Sequence, residues 1–320
     1  MLERMTGATQ ARNPRQLVLP AAHIDRARLD AAIAWTEGRY RACDVCAERC
    51  LVDRTGAAPP AGARCGLGAG GRVYKEYLHL GEERVFVPTH AIYLTGCNFR
   101  CAFCSDDPQV RAPLAHGLAM PPEALAARIA LRRSQGATSV DFVGGVPDVN
   151  LLYILRTLAH CPADTHVVWN TNLWTTPEVL TQLTGIVATY LADLKFGNDA
   201  CALKLAGIRG YWPTLTTLLP DAAARAFLVV RHLLMPGHLA CCTRPALTWL
   251  AAHLPDAPVN LMTGYLPYRM ARGTAPRAPL ALAGRVPSGE RDAALALFAA
   301  LPFRHRLVDG EEWAPVGSSS

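Results

Sequence analysis

Three cysteines within eight residues, Cys97, Cys101 and Cys104, constrain this chain more than any other feature. They follow a run of strand character, His90-Ala91-Ile92-Tyr93-Leu94, so the fold must gather three thiols at one strand end. The spacing C-x3-C-x2-C supplies three ligands to a four-iron cluster, which takes four cysteines when closed. A site left one protein ligand short keeps an open position at which a small molecule can bind. A zinc site or buried apolar thiols are the competing readings, because short metal motifs also arise by chance.

The rest of the chain reads as repeated strand and helix. Strand-like runs fall at about 90–95, 139–144, 165–170, 187–195, 226–234 and 258–263, with helical stretches between them. That alternation predicts βαβ units and a parallel sheet. Helix starts are marked at Pro121-Pro122 before Glu123 to Arg133, at Thr176-Pro177-Glu178, and at Thr243 with Pro245. Six repeats are too few for a closed eight-stranded barrel. The expected division is an extension over 1–36, a Cys-rich metal-binding module over 37–85, a barrel over 86–270, and a segment over 271–320 whose helix, Gly289 to Leu301, packs outside.

Composition excludes several classes. The 320 residues carry 32 basic against 26 acidic side chains, and Arg132-Arg133 is the only adjacent basic pair. Nucleic-acid surfaces cluster their bases, so nucleic acid is disfavoured as a partner. No window approaches the roughly 18 uninterrupted apolar residues of a membrane span. The first 28 residues lack the apolar stretch of a signal peptide. The expectation is a cytoplasmic enzyme whose eleven cysteines are reduced thiols or metal ligands.

With Phe103 just before the third cysteine, the segment Tyr93-Leu94-Thr95-Gly96-Cys97 through Cys104 resembles the signature of the radical S-adenosylmethionine (SAM) superfamily. The resemblance implies an open, partial (β/α)6 barrel. It also implies a 4Fe-4S cluster on Cys97, Cys101 and Cys104 whose fourth iron binds SAM. Reductive cleavage would then give a 5′-deoxyadenosyl radical that abstracts a hydrogen atom, with a flavodoxin or ferredoxin as reductant.

Further elements match at successive strand ends. Gly144 and Gly145 resemble the family's GGE-type element that holds the SAM amino group, with Val146 and Pro147 where many members carry an acid. Asn170 and Asn172 resemble a T-N element, and Asp193-Leu194-Lys195 a D-L-K element whose lysine meets the methionine end of SAM. Alternation puts Asp193 and Lys195 on one strand face. Arg231 and His232 follow on the fifth strand, where Arg231 could anchor a carboxylate. The order of these motifs is similar to the PflX type, homologues of the enzyme that activates pyruvate formate-lyase. No D-G-P-G-x-R segment precedes Tyr93. The substrate implied is a protein, a peptide or a small molecule. The alternatives are activation of a glycyl-radical enzyme, RNA modification, and a non-catalytic iron-sulfur or zinc scaffold.

Cys43, Cys46, Cys50 and Cys65, spaced C-x2-C-x3-C-x14-C, form a second candidate metal site for zinc or an iron-sulfur cluster. So small a module has little core of its own, and a metal would supply much of its folding energy. An electron relay to the first cluster is one use for it. Cys161, Cys201, Cys241 and Cys242 show no ligand spacing and read as core or surface thiols, with Cys241 or Cys242 as a hydrogen donor the rival reading. Tyr265, Pro267, Tyr268 and Arg269 are expected at the rim of the barrel.

Overall fold

The structure, a computed structural model, describes residues 17–81, 83–267 and 280–314. The chain starts with helix α1 (Arg26–Arg39), capped by the Asp25 carboxylate, which accepts from the Arg28 N–H at 3.1 Å. A long irregular stretch then carries the first four cysteines and leads into β1 (Arg72–His79). The repeating part begins with β2 (Thr89–Leu94), followed by α2 (Asp107–Arg111), β3 (Leu118–Ala119) and α3 (Pro122–Ser134). It continues through β4 (Ser139–Val143), α4 (Leu151–Ala159), β5 (Val167–Thr171), α5 (Pro177–Leu183) and β6 (Thr189–Asp193). Two helices, α6 (Asp199–Ala206) and α7 (Tyr211–Arg225), precede β7 (Phe227–Leu233). The chain closes with α8 (Arg244–His253), β8 (Val259–Met262), α9 (Ser288–Ala300), β9 (Arg306–Val308) and β10 (Glu311–Glu312).

Among the described residues ten strands join one sheet in the order β10-β9-β8-β7-β6-β5-β4-β2-β1-β3. Strands β2 and β4 through β9 run parallel, each paired to the next in that order. This is the α/β, partial-barrel architecture expected. It is wider than six strands: β9 adds a seventh parallel strand, and β1 pairs antiparallel with β2 at the other side. Residues 72–79, at the end of the expected Cys-rich stretch, therefore belong to the sheet.

The strands read as apolar runs because both of their faces are covered. One face packs on the helices. There α4 is apolar nearly all round and lies between α1 and α3, with Leu151 through Leu155 all buried. The other, inner face has an apolar base of Phe86, Val168, Leu191, Val229 and Leu307. Above that base it turns polar. Register and alternation put Asp141, Asn170, Asp193, Arg231 and Asn260 on this face, toward the C-terminal ends of the strands.

Two helix signals fare differently. At α5 the Thr176 hydroxyl caps the Val179 N–H at 3.4 Å with Pro177 in the first turn, as expected. At α8 Thr243 makes no cap: a π-helical turn, Leu239–Thr243, precedes the helix, and the Thr243 hydroxyl is taken by His232 instead.

Behind β1 and β2, Glu76 joins Arg128, Arg132 and His90 in one network. The hydrogen bond from Arg132 leads in holding the Glu76 carboxyl down to about 2, while burial pushes His90 down to about 4. Burial likewise takes His232 to about 4. Both histidines are fully buried and stay neutral as the unfolded chain protonates below about 6.5. Stability is thus fully present above that pH and is lost as pH falls toward 4. The expected loss is about 2 kcal/mol per histidine between pH 7 and pH 5. Urea midpoints at the two pH values check this, and an unchanged midpoint would contradict it.

Candidate functional site

The cysteine loop leaves β2 through Thr95 and Gly96 and is stitched to its neighbours by backbone. Gly96 accepts from the Val146 N–H at 3.1 Å, which ties the loop to the end of β4. Gly144 and Gly145 both have positive φ, 69° and 44°. A Cβ at Gly145 would lie 1.9 Å from the Gly96 carbonyl oxygen, so only glycine allows this approach. Downstream, the Arg100 and Ala102 N–H groups donate to Ala206 and Leu205 at the end of α6.

Cys97 and Cys101 are buried and Cys104 half-buried, and all three are reduced thiols. Cys97 Sγ accepts from the Phe99 N–H at 3.3 Å and from Asn172 Nδ2 at 3.9 Å. Burial, then the neighbouring Cys101 sulfur, pushes the Cys97 thiol up to about 12; Arg100 and Lys195 pull the other way. Burial also raises Cys101, against Lys195. Burial and the Cys101 and Cys97 sulfurs raise Cys104. Donors and cations aimed at the sulfurs favour thiolates, the form that ligates metal.

An aromatic floor supports the loop. Phe103 meets Phe196 edge-on, Phe196 meets Tyr211, and Trp174 stacks on Tyr211. The Tyr211 hydroxyl accepts from the Lys195 N–H at 2.7 Å, fixing the backbone where β6 ends.

From that strand end a charged chain runs across the inner face. Lys195 pairs with Asp193, Asp193 accepts from Arg231 Nε at 2.7 Å, and Arg231 donates to Asn170. Asn170 in turn donates to Asp141 at 3.1 Å. The strand-alternation expectation for Asp193 and Lys195 is met in the geometry. Burial disfavours the Asp193 charge, but Arg231 and then Lys195 outweigh it and hold the carboxyl below its ordinary range. Lys195 is held high in the same way, against burial, by Asp193 and by the Cys101 sulfur. Arg231 and Asn260 also line a cavity of about 150 Å³ with Glu83, Met262 and Asp309.

His232 stands apart from this group. Adjacent to Arg231 in an extended strand, it points to the opposite face. There Nδ1 bonds the Leu194 carbonyl at 2.6 Å and Nε2 the Thr243 hydroxyl at 3.0 Å. It pins β7 to the turn before α8 and does not face the polar inner surface. Asn172 lies beside Cys97 and bonds Asn98 Oδ1 at 2.8 Å, away from Asn170. Tyr265 is buried with its hydroxyl on the Leu282 carbonyl, and so forms packing and not rim. Tyr268 and Arg269 lie outside the described residues.

The Cys43 to Cys65 stretch packs directly on this loop. The Asn98 side chain sits between the two sets of sulfurs, within reach of Cys97 and bonded to Cys46, whose thiol burial raises to about 12. Asn98 also donates to the Trp174 carbonyl at 3.0 Å, and Cys46 bridges Thr175. Buried Arg54 lies 3.6 Å from Cys43 Sγ. Asn98, Asp141 and Arg54 were not singled out from sequence. Asp141 had a signal, as the only charge in the strand Ser-Val-Asp-Phe-Val.

The four cysteines without ligand spacing divide: Cys161 packs against the Thr157 carbonyl, whereas Cys201, Cys241 and Cys242 gather around His238. Local spacing could not show this, because Cys201, in the first turn of α6, comes 40 residues before Cys241.

Comparison with known proteins gives a match to the Radical SAM superfamily over residues 92–243. The Uncharacterized protein MJ0674 of Methanocaldococcus jannaschii is 36% identical over 249 residues, covering 75% of this chain and 70% of that one. Among solved structures, Streptococcus suis SuiB bound to S-adenosylmethionine aligns with TM-score 0.43 and 14% identity, over 53% of this chain and 40% of SuiB. SuiB bound to its precursor peptide SuiA aligns with TM-score 0.41 and 14% identity, over 57% and 39%. The chain thus spans well under half of the SuiB chains it matches. Among the described residues no helix is long and apolar enough to cross a membrane.

Proposed function

We propose, from the match of residues 92–243 to the Radical SAM superfamily, an enzyme that cleaves SAM reductively and abstracts a hydrogen atom from a protein, peptide or small-molecule substrate. A domain of that kind implies a 4Fe-4S cluster, SAM, a reductant and a substrate. The finer reading assigns these to residues. The observation that carries it is the chain Lys195–Asp193–Arg231–Asn170 on the inner face, whose Lys195 end lies in the field of the Cys101 sulfur.

The donor set fits the cluster. Cys97 receives a backbone N–H and an amide, and Cys97 and Cys101 lie in the field of Lys195. When bound, the cluster supplies the electron that splits SAM into methionine and the hydrogen-abstracting 5′-deoxyadenosyl fragment. Gly144 and Gly145 offer main-chain carbonyls to the SAM amino group, since Val146 and Pro147 bring no acid. Lys195, held charged by Asp193, would meet the carboxylate end. Arg231, itself held by Asn170, keeps Asp193 ionised and aligned, and the apolar base below them excludes water.

The charged inner chain argues against a scaffold, which has no use for costly buried ions. The order of motifs supports the PflX type. Cys43, Cys46, Cys50 and Cys65 are proposed as a second metal site that abuts the first through Asn98. Anaerobically reconstituted, reduced protein is expected to bind SAM and release 5′-deoxyadenosine, measured by chromatography beside iron-free protein. Cluster-loaded protein that does neither would overturn the reading.

A further inference from the structure

We infer that Cys201, His238, Cys241 and Cys242 form a tetrahedral zinc site, separate from both cysteine groups above. Cys201 lies in the first turn of α6, His238 just after β7, and Cys241 and Cys242 in the π-helical turn before α8. Their four ligand atoms all lie within 4.8 Å of one another.

The geometry is that of a coordination tetrahedron. Zinc bonds of about 2.3 Å to sulfur and about 2.0–2.1 Å to nitrogen require edges of about 3.8 Å between sulfurs and about 3.5 Å between sulfur and nitrogen. The Sγ atoms of Cys201 and Cys241 are 3.7 Å apart, and those of Cys241 and Cys242 4.0 Å apart. From His238 Nδ1 the distances are 3.8 Å to Cys201, 3.3 Å to Cys241 and 3.8 Å to Cys242. These edges are too short for sulfurs on separate irons of a cluster, and 3.7 Å is far from the 2.03–2.05 Å of a disulfide. Three thiolates and one imidazole are a standard closed structural set, which assigns the site a holding role and leaves no open position for catalysis.

The surrounding groups fix the ligands. Asn198 accepts from the Cys201 N–H at 2.7 Å, and its Nδ2 donates to the Cys241 carbonyl at 2.6 Å and to Cys201 Sγ at 3.4 Å. A Cβ at Gly197 would stand 2.5 Å from the Cys242 carbonyl oxygen, so glycine permits the two loops to touch. Glu290, on α9, accepts from the Gly237 and Leu239 N–H groups and anchors the turn from outside. Supporting contacts of this kind orient first ligands and raise affinity. The ion would clamp the loop after β6 to the loop after β7, the strands that carry Asp193 and Arg231.

The test is elemental analysis of the full chain purified without oxygen, beside a Cys201→Ser, Cys241→Ser variant and a His238→Ala variant. The parent is expected to hold one zinc per chain more than the double variant, with iron unchanged. A loss of zinc without loss of iron separates this site from the proposed cluster on Cys97, Cys101 and Cys104. Equal zinc in parent and double variant would overturn the site, as would a parent free of zinc or one with Cys201 and Cys241 joined as a disulfide. If the double variant does not fold, His238→Ala decides. It should yield zinc to a competing chelator at least about tenfold more readily than the parent, whereas identical release would overturn the site.

Discussion

A variant with Cys97, Cys101 and Cys104 all changed to alanine is expected to lose about four irons per chain and at least about a thousandfold in 5′-deoxyadenosine release. A thousandfold is about 4 kcal/mol of barrier, more than any single contact to SAM supplies and no more than the loss of the reducing group requires. The fold should survive the change. The loop is fixed by the Val146 N–H, by the Arg100 and Ala102 N–H groups on α6, and by the aromatic floor, none of which uses a sulfur. Iron analysis, visible absorption and the cleavage assay read the outcome together. Unchanged iron would move the cluster to Cys43, Cys46, Cys50 and Cys65; full cleavage without iron would remove radical chemistry from this chain.

What could be read from sequence divides by range. The six strands between 90 and 263 were legible because both of their faces are covered, so they appear as short apolar runs between turn signals. Strand β1 was not: Arg72–His79 mixes polar and apolar residues without a period of two and follows the cysteines, so it read as part of their module, whereas β2 pairs along nearly its whole length with it. Strand β9 has three residues, too few for any pattern. At the site, Cys97 to Cys104 and Asp193 with Lys195 are local patterns and came through. His232 was misplaced because a motif names adjacent residues while a strand sends them to opposite faces. The Cys201, His238, Cys241, Cys242 group was invisible for a different reason. Two loops far apart in sequence meet only because β6 and β7 are neighbours in the sheet.

Arg54 gives the second large effect, because it asks whether the sulfurs around it carry charge. The side chain is 2% exposed. Its Nε donates to the Leu67 carbonyl at 3.0 Å and its Nη2 to Gly68 at 2.9 Å and Val149 at 2.7 Å, while its carbon lies 4.5 Å over the Tyr40 ring. Among the described residues it has no carboxylate partner. Burial works against the cation, and Tyr40, Cys65 and Cys43 more than offset it, holding Arg54 above its usual value. A buried guanidinium needs a counter-charge. A thiolate at Cys65 supplies one only if a metal keeps it deprotonated, since burial raises that thiol when it stands alone. Arg54→Met is therefore expected to destabilise the chain by about 3–5 kcal/mol, the cost of breaking one side of a buried charge pair, and to lower the metal bound at Cys43, Cys46, Cys50 and Cys65. Denaturant midpoints and metal content per chain check both parts. Neutral, unligated thiols predict the opposite sign: an apolar side chain of similar length would then replace a costly buried cation, and stability would hold or rise with metal content unchanged.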